Sequence, residues 1–142
     1  MRINPYLNFN GNTEEAFKFY KSVFGGEFTV LQRFKDTPGS NVPSSVENMI
    51  MHVALPLGKN VILMGTDAPE SMGFKLTMGN NFYISIDVES KAEADKLYKA
   101  LSKGGKIEMA LSDAFWGAYF GSFTDKYGVQ WMISFDKRNL KK

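Results

Sequence analysis

The sequence predicts an α+β chain made of two copies of a β-α-β-β-β unit, and three observations carry that expectation. Two segments match each other in residue type and order, which fixes an architecture more firmly than any local pattern. Each matching segment opens on a helix-start signal and closes on a Gly-Gly pair. The stretches around them alternate, or carry the β-branched and aromatic residues of strands.

The opening strand is expected over Ile3 to Phe9. Asn12-Thr13-Glu14-Glu15-Ala16 then leads through Phe17 and Phe19 to Tyr20-Lys21, Phe24, Gly25-Gly26 and Glu27-Phe28. Its counterpart is Ser90-Lys91-Ala92-Glu93-Ala94, followed by Leu97, Tyr98-Lys99, Leu101, Gly104-Gly105 and Lys106-Ile107. Asn12 and Ser90 can each accept a bond from an exposed amide of the first turn. Glu15 and Glu93, three positions on, complete two expected capping boxes. Ala16, Tyr20, Val23 and Phe24 form one apolar stripe, and Ala94, Leu97, Tyr98 and Leu101 the other, so each helix should cover a sheet. The Gly-Gly pairs supply left-handed backbone that ends each helix.

Three strands should follow each helix. In the first half they are Glu27 to Phe34, Met49 to Leu55 and Val61 to Met64, the last two joined around Pro56 and Gly58. In the second half Phe82 to Val88 precedes the helix. Lys106 to Leu111, Ala118 to Phe123 and Val129 to Phe135 follow it, with Asp125-Lys126-Tyr127-Gly128 as the last turn. The loop after Asp36 and the crossover at about 67–79 are rich in Pro, Gly, Ser, Asn and Met. The expected organisation is one domain over 1–142, with modules at about 1–66 and 80–136.

Composition bounds the function. A chain of 142 residues with 44% hydrophobic and 23% charged residues is expected to fold around an ordinary core. With no cysteine there are no disulfides, thiolate metal sites or cysteine nucleophiles, and a reducing compartment is permitted. The first nine residues lack the basic-then-apolar run of a signal peptide, and no apolar run is long enough for a membrane helix, so the expected location is the cytoplasm. The net charge is +2, and the one tight basic cluster is Lys137, Arg138, Lys141 and Lys142. This reads as a solvated tail, with neither nucleic acid nor membrane as a partner.

The landmarks Pro5-Tyr6-Leu7, Glu15-Ala16, Phe19-Tyr20, Val23-Phe24-Gly25-Gly26, Phe115-Trp116-Gly117, Phe120-Gly121, Thr124-Asp125 and Tyr127-Gly128-Val129-Gln130-Trp131 span nearly the whole chain. In that order they resemble the PhnB-like branch of the vicinal oxygen chelate (glyoxalase/bleomycin-resistance/dioxygenase) superfamily. The resemblance implies a cup-shaped, mixed eight-stranded sheet built from paired modules and covered by helices, commonly completed in a homodimer. Members include metal-dependent lyases, isomerases, ring-cleaving dioxygenases, thiol transferases and metal-free drug-sequestering proteins, so the fold leaves the chemistry open.

The metal-using relatives take His or Glu ligands from four strand positions. The resemblance places these at Asn4-Pro5-Tyr6, His52, Asn81-Phe82-Tyr83 and Met132. Only His52, the one histidine, is a good donor, whereas a catalytic divalent ion usually takes three or more from the protein. Asp87 and Glu108 lie away from these positions. No cofactor is therefore expected, and a divalent metal would need relocated ligands.

His52 reads either as a hydrogen-bonded histidine of a half-buried strand or as a neutral imidazole facing the cup, able to act as a base or to bind a polar ligand group. It is the one catalytic candidate. Phe115, Trp116 and Phe120 read as core or dimer seam, while Trp116 and Tyr119 could line the mouth of the cup around a planar ligand. Met64 and Met132 read as core filler or pocket wall, with Met132 at a lost ligand position. Asp125 reads as a turn residue, its carboxylate accepting the amides of the turn that Gly128 permits.

No Gly-x-Ser-x-Gly elbow or phosphate-binding loop is present. The expected function is binding of a small organic ligand by His52, Met64, Tyr83, Trp116, Tyr119 and Met132 without a complete metal site. The alternatives are a metal-dependent lyase or dioxygenase with relocated ligands, and aromatic segments that serve assembly alone.

Overall fold

The computed structural model describes residues 1–138, so Lys141 and Lys142 of the basic tail lie outside the described residues. The chain divides into two compact units, Met1–Thr77 and a second beginning at Met78. That division falls within the stretch read as a crossover. Each unit holds one copy of the expected module, so the eight expected strands form two four-stranded mixed sheets, each covered by a helix.

In the first unit β1 (Tyr6–Phe9), α1 (Thr13–Phe24), β2 (Val30–Arg33), β3 (Ile50–Leu57) and β4 (Val61–Asp67) follow in order. The sheet runs β1-β4-β3-β2, with β1 parallel to β4 and the other neighbours antiparallel. Strand β3 passes straight through Pro56, where a turn was expected, and Gly58 with a φ of 72° opens the turn instead. Pairing with β2 stops at Val30 and Ala54, so Pro56 lies where its missing N–H interrupts no ladder on that side.

Alternation places Leu7, Phe9, Val53, Leu55 and Leu63 under α1, all nearly or fully buried. Phe17 and Tyr20 meet this layer from the helix with their rings 5.5 Å apart, edge to face. Burying each such side chain contributes roughly 1.5–3 kcal/mol, which is what holds the helix to the sheet. Gly65 makes room for it: a Cβ there would lie 2.6 Å from the Phe17 ring. The buried stripe is Thr13, Ala16, Phe17 and Tyr20, one turn nearer the N-terminus than expected, with Val23 and Phe24 only half-buried.

The start of α1 is not the expected capping box. Asn12 makes no side-chain cap bond; instead, the carboxylate of Asp67, 2% exposed at the end of β4, takes the amides of Gly11 and Thr13. Its Oδ1 also accepts the Thr13 hydroxyl at 2.6 Å, and its Oδ2 accepts the Ile50 amide at 2.8 Å. A buried carboxylate at a helix N-terminus satisfies amides that have no partner within the helix.

The second unit repeats the plan with β5 (Ile84–Asp87), α2 (Lys91–Leu101), β6 (Lys106–Asp113), β7 (Tyr119–Thr124) and β8 (Gln130–Phe135), in the order β5-β8-β7-β6. Here the local cap forms: Ser90 Oγ accepts the Glu93 amide, while the Glu93 carboxylate takes the amide of Glu89. Gly104 has the expected positive φ, but Gly105 does not. Gly105 serves close approach instead, since a Cβ there would sit 2.2 Å from the Thr124 carbonyl oxygen. Asp125 behaves as the turn reading requires, with Oδ1 accepting the amides of Tyr127 and Val129. Its Oδ2 also accepts the indole N–H of Trp131 at 2.9 Å, which ties the turn to the core.

Candidate functional site

On the face of the first sheet turned away from α1, alternation collects Tyr6 and Asn8 of β1, Met64 and Thr66 of β4, and His52 and Ala54 of β3. Because β4 lies between β1 and β3, the Tyr6 side chain must cross it to reach His52. It does so: Tyr6 Oη lies 3.0 Å from His52 Nδ1, with the rings stacked at 5.6 Å and 15°. Tyr6 pairs with Met64, which also pairs with Ala54, so the methionine lies in the row the phenol crosses.

Partial desolvation of Tyr6, a residue still 44% exposed, raises its pKa above the ordinary tyrosine value, opposed by the hydrogen-bonding Thr66 hydroxyl. The phenol is therefore a proton-bearing group at neutral pH. Gln32 of β2 pairs with His52, and a β-bulge follows between Gln32 and Arg33, so that Arg33 pairs with Ile50. The arrangement offers one imidazole, one phenol and an apolar thioether on a single face, enough to orient a small molecule and to exchange a proton with it.

On the second sheet, Met132 lies between Ser85 and Ser122 in register, on the face turned away from α2. The ladder slips between Ile107 and Met109, and Glu108 on this irregular stretch gathers three donors. Its Oε1 accepts Thr124 Oγ1 at 2.8 Å and Gln130 Nε2 at 3.4 Å, and its Oε2 accepts the Tyr83 hydroxyl. The Tyr83 bond, followed by that of Thr124, lowers the Glu108 pKa below the usual carboxylate value, and the same Tyr83 bond raises the phenol's. Sequence reasoning placed Tyr83 in the site but left Glu108 out. The shared plan of the modules was the signal available, since each then pairs a tyrosine at its opening strand with a titratable side chain of another strand.

The remaining candidates separate. Trp116, 44% exposed, packs its ring 5.6 Å from that of Phe120, which pairs with Ser134 on the Met132 side of the sheet. Tyr119 is on the other side. Its hydroxyl donates to Asp95 of α2 at 2.5 Å and Lys91 Nζ lies 4.9 Å from its ring centre, so Trp116 and Tyr119 do not share one wall as the mouth reading required. Tyr119 instead lines a hollow of about 220 Å³ with Lys91, Asp113, Gly117, Phe135 and Lys137. Phe115 is 98% exposed and takes no part in the core of the chain.

Among the described residues, no group of three or more His, Cys, Asp or Glu side chains is placed to hold a metal ion. Of the four positions at which the resemblance expects His or Glu ligands, only His52 supplies one, and its Nδ1 is engaged by Tyr6. The donor set does not fit the divalent ion of the metal-using relatives. No helix among the described residues is long and apolar enough to cross a membrane.

Two βαβββ modules, each a mixed sheet under one helix, define the glyoxalase/bleomycin-resistance fold of the vicinal oxygen chelate superfamily, PhnB-like branch. Within it, the chain belongs to the family described as 3-demethylubiquinone-9 3-methyltransferase, whose model matches residues 1–134. Protein YjdN of Escherichia coli K12 is 31% identical, with 97% of each chain covered. The crystal structure of protein PA1353 from Pseudomonas aeruginosa shares 39% identity at a TM-score of 0.85, covering 96% of this chain and 98% of that one. A Bacillus cereus structure, described as a putative 3-demethylubiquinone-9 3-methyltransferase, PhnB protein, shares 27% identity at a TM-score of 0.76, covering 95% and 99%.

Proposed function

We propose that the face of the first sheet turned away from α1 binds a small organic ligand without a complete metal site, His52 serving as its polar handle and Met64 as its apolar floor. The observation that carries this reading is the Tyr6–His52 pair, in which an imidazole is oriented by a phenol that reaches it across a strand. Half-buried on this face, the ring keeps an edge open to an incoming group while the phenol holds its Nδ1. Met132, Tyr83 and the Trp116–Phe120 pair offer a second apolar surface with a fixed carboxylate beside it. Phe115 and Trp116, both exposed, support a homodimer that covers them. A cytoplasmic location completes the reading, consistent with a chain free of cysteine.

Methyl transfer to a quinone, which the family description names, finds no support in this chain's own residues. Its first strand-to-helix turn has one glycine, Gly11, and the Gly11 and Thr13 amides are already taken by Asp67. A phosphate-bearing or nucleoside cofactor held at a glycine-rich turn would need those amides. A lyase or dioxygenase would need relocated ligands, and Glu108, the carboxylate best placed on its own sheet, already accepts bonds on both oxygens.

Crystals soaked with a fragment library test the proposal. Reproducible density over Tyr6, His52 and Met64 is the expected result. Fragments that settle only elsewhere would overturn it, and an interaction module would show no consistent occupant on this face.

A further inference from the structure

The proton on the Tyr6–His52 hydrogen bond has two possible owners, and the choice decides what His52 shows to a ligand. The Tyr6 phenol keeps its proton at neutral pH, since burial opposes its ionisation. That proton needs an acceptor. His52 Nδ1 stands 3.0 Å away, and the nearby hydroxyl is that of Thr66, which also donates to the carbonyls of Ile50 and Asp67. A neutral imidazole nitrogen is a stronger acceptor than an aliphatic hydroxyl, and a phenol is a stronger donor than an imidazole N–H. Pairing the stronger donor with the stronger acceptor puts the Tyr6 proton on the bond to Nδ1. In a neutral ring the hydrogen must then reside on Nε2.

We infer that Tyr6 is a positioning residue that fixes His52 as the Nε2–H tautomer, so that the ligand of this face is one carrying a carbonyl or carboxylate oxygen as acceptor. The inference rests on the proposed binding role of the face and narrows its ligand class. The surroundings agree with it. No hydrogen bond from Nε2 to a described residue is formed: Gln32, paired with His52 across β2, turns its amide nitrogen to Thr37, and Thr66 gives its hydroxyl hydrogen to the Ile50 and Asp67 carbonyls. An incoming oxygen is the partner the Nε2–H lacks. A ligand presenting only ammonium groups would face a donor with a donor.

The chain has a single histidine, so its ring nitrogens can be observed in the intact protein without assignment by mutation. Protein labelled with ¹⁵N in histidine is examined by long-range ¹H–¹⁵N correlation at a pH where the ring is neutral. The expected spectrum has an unprotonated Nδ1 and a protonated Nε2, and Tyr6→Phe should turn it into an averaged mixture. A protonated Nδ1 in the wild type, or a spectrum that Tyr6→Phe leaves unchanged, would overturn the assignment.

Benzoate and benzylammonium are then titrated as probes, reading the Met64 methyl alongside Nε2. Benzoate should move both signals at concentrations at least tenfold below any effect of benzylammonium. Benzoate moving Met64 but not Nε2 would overturn the acceptor class while leaving the binding face intact. If benzoate moves neither signal, the binding role itself fails and the ligand class fails with it, while the tautomer spectrum still judges Tyr6.

Discussion

The hydroxyl of Tyr6 meets Nδ1 of His52 at 3.0 Å, two residues 46 positions apart that are brought together only because β4 separates the strands carrying them by one row. That contact is the centre of the candidate site, and its coupling is measurable. A double-mutant cycle of Tyr6→Phe and His52→Ala, followed by urea unfolding, should return an interaction of about 0.5–1.5 kcal/mol, the range for one hydrogen bond on a partly exposed face. A coupling indistinguishable from zero would mean that the two side chains do not meet in solution.

Asp67 should matter more to stability than any residue of the site. Asp67→Ala strips one carboxylate from three backbone amides and a hydroxyl around a buried position. The expected loss is about 3 kcal/mol or more by denaturant titration, because buried donors left without partners cost more than the bonds they made. A loss below about 1 kcal/mol would show that the carboxylate does not anchor the start of α1.

Gly65→Ala places a methyl group 2.6 Å from the ring of Phe17, and Gly121→Ala does the same at 2.8 Å from Tyr98. Each should lower stability by roughly 1–3 kcal/mol through overpacking between helix and sheet. Thermal melts of the two variants check this, and unchanged midpoints would contradict the close helix approach in both modules.

Arg33 holds Glu14 with two parallel bonds, Nη1 to Oε1 at 3.1 Å and Nη2 to Oε2 at 2.8 Å, joining β2 to α1. The hydrogen bond from Arg33 is the chief reason the Glu14 pKa is lowered on folding. A carboxylate with a depressed folded-state pKa stabilises above its unfolded value, and that contribution disappears as the pH falls through the folded value. With both partners partly exposed, its size is about 0.5–1 kcal/mol. Stability measured from pH 7 down through the acid range should fall less in Glu14→Gln than in the wild type, and equal slopes would remove the pair from the account.

Much of the fold was legible because its signals are local or repeated. The start of α2 could be read from Ser90 and Glu93, three residues apart: the Ser90 half of the expected box forms, while the Glu93 carboxylate reaches back one residue further, to the amide of Glu89. The start of α1 could not, because its acceptor, Asp67, lies 54 residues beyond Thr13 and nothing near Asn12 announces it. The strands were recognisable from alternation, and Pro56 misled because its effect depends on where the neighbouring strand stops.

The site was readable only in part, for the same reason. His52 was conspicuous as the one histidine, while its partner Tyr6 had registered as a family landmark and a poor metal ligand, not as a site residue. Glu108 was set aside because a position along a strand does not tell which side chains a bulge will bring around it. Tyr119 was grouped with Trp116 by proximity in sequence, yet the chain turns at Gly117, φ 99°, and the two side chains part to opposite sides of the sheet.

Calorimetric titration of a carboxylate fragment into wild-type protein and His52→Ala, with a strong chelator present throughout, probes the heart of the account. Binding should survive the chelator in the wild type and weaken at least tenfold when the imidazole is removed, as expected for loss of a hydrogen bond to a charged oxygen. Binding that vanishes with the chelator, or that is equal in the two proteins, would contradict a metal-independent seat built on His52.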